Sequence, residues 1–248
     1  MSELAQVFRL NKPSRMTLRA SATWFVDGPR RILVDAGGFA SLAEIDAALW
    51  AAAGFGVEAI TDSYFTHLHF DHYAPLFGAG WQVHFPLAEQ QFIAELMRFK
   101  DEPKRYREFL QDSHELIAPV FLREFLRLAQ DPRYQFDSLG PGVTLKLHEA
   151  DADISPHART VGLEGHCPGQ LGLRVETAQG VCLIAGDAVI SLDDFQAETT
   201  AHHLIVYNRE QLLRSRQRVA LADFVVPGHG AWFDPKRGVT FDPLGANP

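Results

Sequence analysis

Three histidines and one aspartate lie within six consecutive residues of the chain. They are His67, His69, Asp71 and His72, and they follow the apolar pair Tyr64-Phe65. In an extended segment alternate side chains point the same way, so His67 and His69 can bind one metal ion together. If the backbone then turns into a helix at Asp71, Asp71 and His72 point away from that pair and can bind a second ion. Imidazole and carboxylate groups bind Zn²⁺, Fe or Mn²⁺, so the segment predicts a metal site at the end of a strand.

Three further candidate ligands follow predicted strands in the second half of the chain. They are His166, Asp187 and His229, and each has a glycine beside it. Glycine lets the backbone pass close to a bound ion. With the four residues of the first segment, they make seven predicted metal ligands.

In the order and type of these residues the chain resembles the metallo-β-lactamase superfamily. The opening segment is most similar to the branch of the N-acyl-homoserine lactone lactonases. The resemblance implies an α/β (α+β) fold, a four-layer αββα sandwich with the site at the edge between two sheets. It also implies that His67, His69 and His166 bind a first metal ion, that Asp71, His72 and His229 bind a second, and that Asp187 bridges both.

A two-metal site of this kind predicts a zinc-dependent metallohydrolase. Two divalent cations roughly 3.5 to 4 Å apart share a water and lower its pKa, so that a bridging hydroxide attacks a carbonyl carbon at neutral pH. Asp71 is the predicted catalytic residue, because a ligand carboxylate with a free oxygen can carry a proton to the leaving group. The expected substrate is a small lactone, ester, thioester or amide.

Two other reactions are open at this point. The fold also contains sulfur dioxygenases with one non-haem iron, so iron and oxygen chemistry is the main alternative to hydrolysis. Cleavage of phosphodiesters, as in a nuclease, is less favoured because the chain has a formal net charge of -8 and polyanion binding usually needs a basic surface.

The composition predicts a globular protein that forms one domain over residues 1–248. Its 46% hydrophobic content is enough for a packed core. Cys167 and Cys182 are the only cysteines, and no apolar stretch is long enough to cross a membrane or act as a signal peptide. We therefore expect a cytoplasmic protein that binds a small-molecule substrate and neither nucleic acid nor membrane.

Secondary structure follows from alternation, periodicity and turn residues. Ser41 is a predicted helix cap, Glu44 its capping-box partner and Gly54 the stop of that helix. A second helix is expected over residues 209–221, and an irregular tail from residue 234. The predicted strands are residues 18–26, 31–35, 63–66, 81–85, 143–147, 160–163, 171–175, 181–184 and 224–226.

A helical insertion is predicted around residues 87–130. Ile117, Phe121, Phe125 and Leu128 recur at helical spacing and form one apolar stripe. Three roles are open for this stripe: it closes the core, it covers the metal site as a lid, or it forms a homodimer surface.

Several other residues have a chemical type of interest but a simpler interpretation. Cys167 adjoins His166 and Cys182 lies in an apolar strand, and both are predicted to pack as small apolar side chains. For Cys167 the alternative is a role as a nucleophile or a metal ligand. His202 and His203 come soon after Asp187 and are predicted to be solvated surface residues, with a place in the lining of the pocket as the alternative. Five aromatic residues are equally compatible with a substrate wall and with the core: Phe39, Phe70, Tyr73, Trp232 and Phe233.

Overall fold

The computed structural model describes residues 4–11, 19–131, 134, 136, 139–140, 142–197 and 199–241. Over these residues the chain forms two large β-sheets, one small sheet and six α-helices. The strands, in chain order, are β1 (Gln6–Arg9), β2 (Thr23–Asp27), β3 (Arg30–Val34), β4 (Asp62–Tyr64), β5 (Gln82–Pro86), β6 (Leu116–Ile117), β7 (Thr144–His148), β8 (Asp153–Ser155), β9 (Ala158–Gly162), β10 (Leu171–Thr177), β11 (Gly180–Gly186), β12 (Ile205–Val206), β13 (Phe224–Pro227), β14 (Trp232–Asp234) and β15 (Val239–Phe241). The helices are α1 (Leu42–Ala53), α2 (Leu87–Met97), α3 (Pro103–Ser113), α4 (Pro119–Leu128), α5 (Leu192–Gln196) and α6 (Arg209–Val219).

The two large sheets differ in their strand directions. The first has the order β1-β2-β3-β4-β5-β7, in which β3, β4, β5 and β7 are parallel. The second has the order β15-β14-β13-β11-β10-β9-β8, in which only β11 and β13 form a parallel pair. Because β10 is antiparallel to both β9 and β11, the strands β9, β11 and β13 all run in the same direction. Their carboxyl ends therefore lie at one edge of the second sheet.

The sheets pack face to face around a shared apolar core. Ile32 and Val34 of β3 and Leu173 of β10 lie in this core, together with Ile184 of β11. Side chains alternate along a strand, so the residues between these point to the outer faces. This inner core is the centre of the sandwich.

Helices cover both outer faces. On the first sheet Leu33 packs with Ile45 and Leu49 of α1. On the second sheet Leu183 and Val225 pack in a cluster with residues of α6. The resulting order of helix, sheet, sheet and helix is the αββα sandwich expected from the sequence, and the α/β fold class is confirmed.

The predicted local signals are largely found in the structure. Ser41 caps α1 by accepting a hydrogen bond from the Glu44 amide, and Gly54 ends the helix at a φ of 72°. The predicted strands lie within two residues of the observed ones at either end. The exception is the first predicted strand, residues 18–26, whose observed counterpart β2 begins at Thr23. Residues 12–18 lie outside the described part of the chain.

The helical insertion consists of α2, α3 and α4, and its apolar stripe faces inward. Phe121, Phe125 and Leu128 are buried, so the stripe closes the core next to the first sheet. The structure also contains the two-residue strand β6, which pairs with β12 and which the sequence did not predict. A homodimer surface on this insertion stays a prediction.

The prediction of an irregular tail from residue 234 is wrong for part of it. Val239–Phe241 forms β15 and pairs with Trp232–Asp234, and Gly238 adopts a φ of 66° in the turn between them. Each strand is only three residues long, too short for an alternation pattern to be recognised. Residues 242–248 lie outside the described part of the chain.

No helix within the described residues is both long and apolar enough to cross a membrane.

A buried polar network joins the first sheet to the second. Asp62 of β4 accepts hydrogen bonds from Arg30 and Thr61 and lies 3.0 Å from Nε2 of His84. Arg30 also donates to the carbonyl oxygen of Ile154 in the second sheet. Burial raises the pKa of the Asp62 carboxyl, but these hydrogen bonds outweigh it and lower the pKa to about 2.

We expect Asp62→Asn to destabilise the fold at neutral pH but not in strong acid. A carboxyl whose pKa is 3.8 in the unfolded chain and about 2 in the folded chain contributes about 2 kcal/mol above pH 4, and this contribution is lost as the pH falls toward 2. Urea unfolding of both proteins between pH 2 and pH 7 measures the difference. Asp153→Asn is the control, since its carboxylate is 78% exposed. A difference between Asp62→Asn and the original chain that does not shrink in acid would contradict this account.

Candidate metal centre

All seven predicted ligands lie beyond the carboxyl ends of strands. Residues 67–72 follow β4, and the other three candidates follow β9, β11 and β13. The sheets are joined at this edge, because the Leu171 amide donates to the Thr66 carbonyl oxygen over 2.9 Å. The residues of both halves of the chain therefore meet on a rigid support.

The first group of side chains consists of His67, His69 and His166. One ligand atom from each lies within 4.8 Å of the other two, and Nε2 of His166 lies 3.0 Å from Nδ1 of His69. All three imidazoles are buried. Three converging imidazoles are a typical ligand set for one zinc ion.

The second group consists of Asp71, His72, Asp187 and His229. Their ligand atoms also lie within 4.8 Å of one another. Nε2 of His72 is 3.0 Å from Oδ1 of Asp187, and Nε2 of His229 is 3.2 Å from Oδ2 of Asp71. Two carboxylates and two imidazoles so arranged suit a divalent cation.

Asp187 lies between the two groups. Its Oδ2 is 3.5 Å from Nε2 of His166 in the first group and 3.5 Å from Nε2 of His229 in the second. A single carboxylate can therefore contact an ion in either group.

Several of the ligand atoms are buried and form no hydrogen bond of normal geometry, although some lie 3.0 to 3.2 Å from another ligand atom. They include Nε2 of His67 and His72, both carboxylate oxygens of Asp71, and Oδ1 of Asp187. Buried polar atoms are nearly always satisfied, and these all point toward the centre of the two groups. The donor set therefore fits divalent cations.

The outer nitrogen of several imidazoles is held by a fixed acceptor. Nδ1 of His72 lies 2.9 Å from Oδ2 of Asp35, and Nδ1 of His229 lies 3.2 Å from the carbonyl oxygen of Arg19. A carbonyl oxygen or an ionised carboxylate only accepts, so the Nδ1 atoms carry the protons. The Nε2 atoms are left to face the site, as metal ligation requires.

Asp35 is a supporting residue that the sequence did not identify. Its carboxylate also accepts hydrogen bonds from the Thr66 amide and hydroxyl, and its backbone φ of 54° lies in the left-handed region that Asp tolerates. It directly follows β3, and this position at a strand end is the signal by which it could have been found.

The electrostatics of the two groups differ. Burial lowers the pKa of His229, but Asp187 and Asp71 outweigh it and raise the pKa to about 9. His72 behaves in the same way, since Asp187 and Asp35 hold its pKa well above the usual value. For His166 burial dominates and lowers the pKa to about 3. The second group thus attracts positive charge, and a bound cation would displace the protons of its imidazoles.

Two glycines allow the loops to approach closely. A Cβ atom at Gly228 would overlap the Asp187 carboxylate, and one at Gly37 would lie 2.5 Å from the backbone of Asp71. Gly37 also donates to the carbonyl oxygen of His72 over 2.7 Å. A side chain at either position would displace predicted ligands.

The helix that the sequence allowed at Asp71 is not present. The amides of His72 and Tyr73 both bond to the His69 carbonyl oxygen, which forms a single turn. The chain then continues without regular structure up to β5. One turn is enough to direct Asp71 and His72 to the second group.

A small cleft opens onto the two groups. Asp71, His166, Asp187 and His229 form its polar side. Phe121 of α4 also lines it, so the helical insertion borders the site as well as the core. The remaining lining residues are Ile190, His202, Leu204 and Ile205.

Comparisons with known proteins agree with this geometry. The family described as the Metallo-beta-lactamase superfamily matches residues 16–229. The chain belongs to the metallo-beta-lactamase superfamily. The resemblance seen in its motifs is thereby confirmed. The fold is that of a superfamily of metal-binding hydrolases.

Solved structures of the superfamily share the fold at low identity. A Thermotoga maritima protein assigned to the metallo-beta-lactamases is 18% identical, with a TM-score of 0.59 over 94% of this chain and 100% of that chain. A quorum-quenching N-acyl homoserine lactone lactonase is 15% identical, with a TM-score of 0.57 over 93% of each chain. An N-acyl homoserine lactone hydrolase with N-hexanoyl-L-homoserine at its catalytic metal centre is 15% identical, with a TM-score of 0.56 over 93% of this chain and 94% of that one. None of the curated protein sequences compared with the chain matches it.

Within this superfamily fold, the prediction that His203 is a solvated surface residue is wrong. The side chain is buried, and it lies next to His166 and Asp194. No short-range pattern signals this burial, because His166 and Asp194 lie 37 and 9 positions from His203 along the chain. His202, by contrast, is partly exposed and lines the cleft.

Cys167 is buried, as predicted, but not in a purely apolar setting. It lies in a group with His69 and Glu89 of α2. Burial raises the pKa of Glu89 to about 7 and holds the pKa of the Cys167 thiol well above its usual value. A thiol of this kind is unreactive.

The aromatic residues that the sequence left undecided are mostly core residues. Trp232 lies between the sheets, Phe233 under the second sheet, Phe39 near α1 and Tyr73 near the helical insertion. Phe70 packs against Phe121, at 5.3 Å between ring centroids. Because Phe121 lines the cleft, Phe70 is the one of the five that supports a residue of the cleft lining.

Proposed function

We propose that the chain is a dinuclear metal-dependent hydrolase that opens a small lactone, ester, thioester or amide. The observation that supports this most directly is the pair of ligand groups that share Asp187. A mononuclear iron enzyme requires one such group. The second group, with two carboxylates and two imidazoles, would then have no role.

The proposed cofactor is two Zn²⁺ ions, with Fe or Mn²⁺ as the other candidates. His67, His69 and His166 would hold one ion, Asp71, His72 and His229 the other, and Asp187 both. When bound, the ions supply positive charge that polarises a carbonyl and lowers the pKa of water toward neutrality.

Asp71 is the residue proposed to move a proton. Its carboxylate lines the cleft, and its Oδ2 lies 3.2 Å from Nε2 of His229. A carboxylate so placed reaches a substrate in the cleft and can deliver a proton to the departing oxygen or nitrogen.

The cleft supports an uncharged substrate with an apolar part. Phe121, Ile190, Leu204 and Ile205 form one side, and no Lys or Arg stands among the described residues that line it. A phosphodiester would leave its charge without a basic partner there. An acyl lactone fits this chemistry, and a similar fold binds N-hexanoyl-L-homoserine at its metal centre.

We also propose that the protein acts in the cytoplasm on a small molecule. Cys167 and Cys182 are both free and buried, which suits a reducing compartment.

A hydrolysis screen tests the proposal. The zinc-loaded chain is expected to turn over at least one of four classes: acyl lactones, aryl esters, thioesters and β-lactams. Activity should disappear with a chelator and return with Zn²⁺. Lack of turnover on all four classes by a chain that holds two zinc ions would contradict the proposal, as would oxygen consumption with a thiol substrate by an iron-loaded chain.

A further inference from the structure

His203 is a buried imidazole that stands directly behind the predicted ligand His166. Its Nδ1 lies 3.3 Å from Nδ1 of His166, and its Nε2 lies 3.1 Å from Oδ2 of Asp194. The opposite nitrogen of His166, Nε2, faces His69 and Asp187. His203 therefore contacts the one nitrogen of His166 that does not face the site.

Asp194 is held firmly in this position. Its Oδ1 accepts from Nη2 of Arg216 over 2.5 Å, and its Oδ2 accepts from the Ile190 amide over 2.9 Å. Arg216 is itself fixed, because its Nη1 donates to the carbonyl oxygens of Ala197 and Thr199. A carboxylate paired with a guanidinium is ionised and only accepts hydrogen bonds.

The partner of Nε2 of His203 decides the direction of the hydrogen bond between His203 and His166. If Nε2 of His203 donates to Asp194, the neutral ring has only a lone pair at Nδ1. Nδ1 of His166 must then donate to that lone pair, so the His166 proton lies on Nδ1. Nε2 of His166 is left with its lone pair toward the site, which is the form that binds a cation.

The opposite direction has one contact in its favour. Nη2 of Arg216 also lies 3.0 Å from Nε2 of His203, and a bond from it would put the His203 proton on Nδ1 and the His166 proton on Nε2. We favour donation to Asp194, because the Asp194 carboxylate only accepts, and a lone pair on Nε2 of His203 would otherwise face Oδ2 of Asp194 at 3.1 Å as a second acceptor.

We propose that His203, held by Asp194 and Arg216, is a positioning residue that keeps the proton of His166 on Nδ1 and so leaves Nε2 of His166 free to bind a cation. The inference rests on the metal site of the proposed function. It adds to that site three hydrogen-bonded side chains behind His166, which link the site to α6. They are His203, Asp194 and Arg216.

Zinc affinity tests the proposal without any measure of activity. The full chain is depleted of metal and titrated with Zn²⁺ against a chromophoric chelator. His203→Leu removes both hydrogen bonds and is expected to weaken the tightest zinc binding about 10- to 100-fold, the usual effect of losing a partner behind a ligand. His203→Gln has an amide that can accept from His166 and donate to Asp194, and it should recover most of the loss.

His157→Leu is the matched control. His157 pairs with the buried Asp27 over 2.7 Å, at the end of β2 and β3 that lies away from the site. This variant loses an imidazole and carboxylate pair of the same kind as His203 and Asp194. Because the lost pair lies away from the site, the zinc affinity of the variant should equal that of the original chain. A His203→Leu variant with unchanged zinc affinity would overturn the proposal, and so would an original chain that binds no zinc.

Imidazole ¹⁵N NMR of the original chain gives an independent result, which does not depend on the folding of any variant. The expected spectrum shows His166 protonated on Nδ1 and His203 protonated on Nε2. Protonation of His203 on Nδ1 alone would overturn the proposal. If the chain shows the expected spectrum and zinc affinities but hydrolyses no substrate, the proposed function is refuted and this inference stands. If the chain is an active hydrolase with the opposite tautomer of His166, this inference is refuted and the proposed function stands.

Discussion

The Asp187→Ala variant is expected to hold at most one divalent cation per chain and to lose at least about 100-fold in turnover. Replacing a partner behind a ligand typically reduces metal affinity by about 10- to 100-fold, and Asp187 is itself a predicted ligand. Its carboxylate contacts both groups, at 3.5 Å from Nε2 of His166 and of His229. Metal analysis after dialysis measures the cations, and initial rates on the best substrate measure turnover.

Two further variants separate this effect from a loss of folding. Asp187→Asn keeps the shape and one carbonyl oxygen, so it should fold normally and still bind less metal than the original chain. Asp27→Ala removes a buried carboxylate at the other end of the strands, and it should lose stability while it keeps its metal. If Asp187→Asn retains two cations and full turnover, Asp187 does not bridge the groups.

The Asp71→Asn variant is expected to lower kcat by about 10²- to 10⁴-fold with little change in KM. General acid and base catalysis contributes a factor of this size, and the amide cannot carry a proton between substrate and solvent. The amide keeps one oxygen as a possible ligand, so zinc content should be affected less than in the Asp187 variants. Steady-state kinetics, with zinc measured in the same samples, gives both quantities.

The leaving group of the substrate provides the internal control. An aryl ester releases a phenolate that needs no proton, whereas an alkyl lactone releases an alkoxide that does. The loss of kcat in Asp71→Asn should therefore be larger on the lactone than on the aryl ester. Equal losses on the two substrates would mean that Asp71 acts only as a ligand.

The sequence was most informative where ligands are close along the chain. The pairs His67 and His69, and Asp71 and His72, follow from local spacing, and the structure places them in the two groups as expected. His166, Asp187 and His229 were found by their position after strands, because strands that run in one direction bring their ends to one edge.

The residues behind the ligands were not predictable in this way. Asp194, His203 and Arg216 come together from α5, a loop and α6, and no spacing between them signals a contact. His203 was predicted to be exposed because a pair of histidines in a polar segment is usually solvated. Its burial depends on packing that only the folded chain defines.

The helical insertion illustrates a third case. Periodicity predicted a helical stripe of Ile117, Phe121, Phe125 and Leu128. The structure confirms the burial of the last three in α4, but Ile117 lies in β6 and is half-buried. Periodicity could not show that Phe121 also lines the cleft, since this depends on how α4 lies over residues 67–72. The one insertion residue among the described residues that line the cleft therefore could not be identified from periodicity alone.

We propose that two divalent cations bind in the paired groups. Titration of the metal-depleted chain with Zn²⁺, followed by calorimetry and by elemental analysis after gel filtration, measures it most directly. We expect two zinc ions per chain for the original protein and fewer for Asp187→Ala. A single ion per chain at saturation, or an original protein whose zinc content is not reduced by Asp187→Ala, would contradict it.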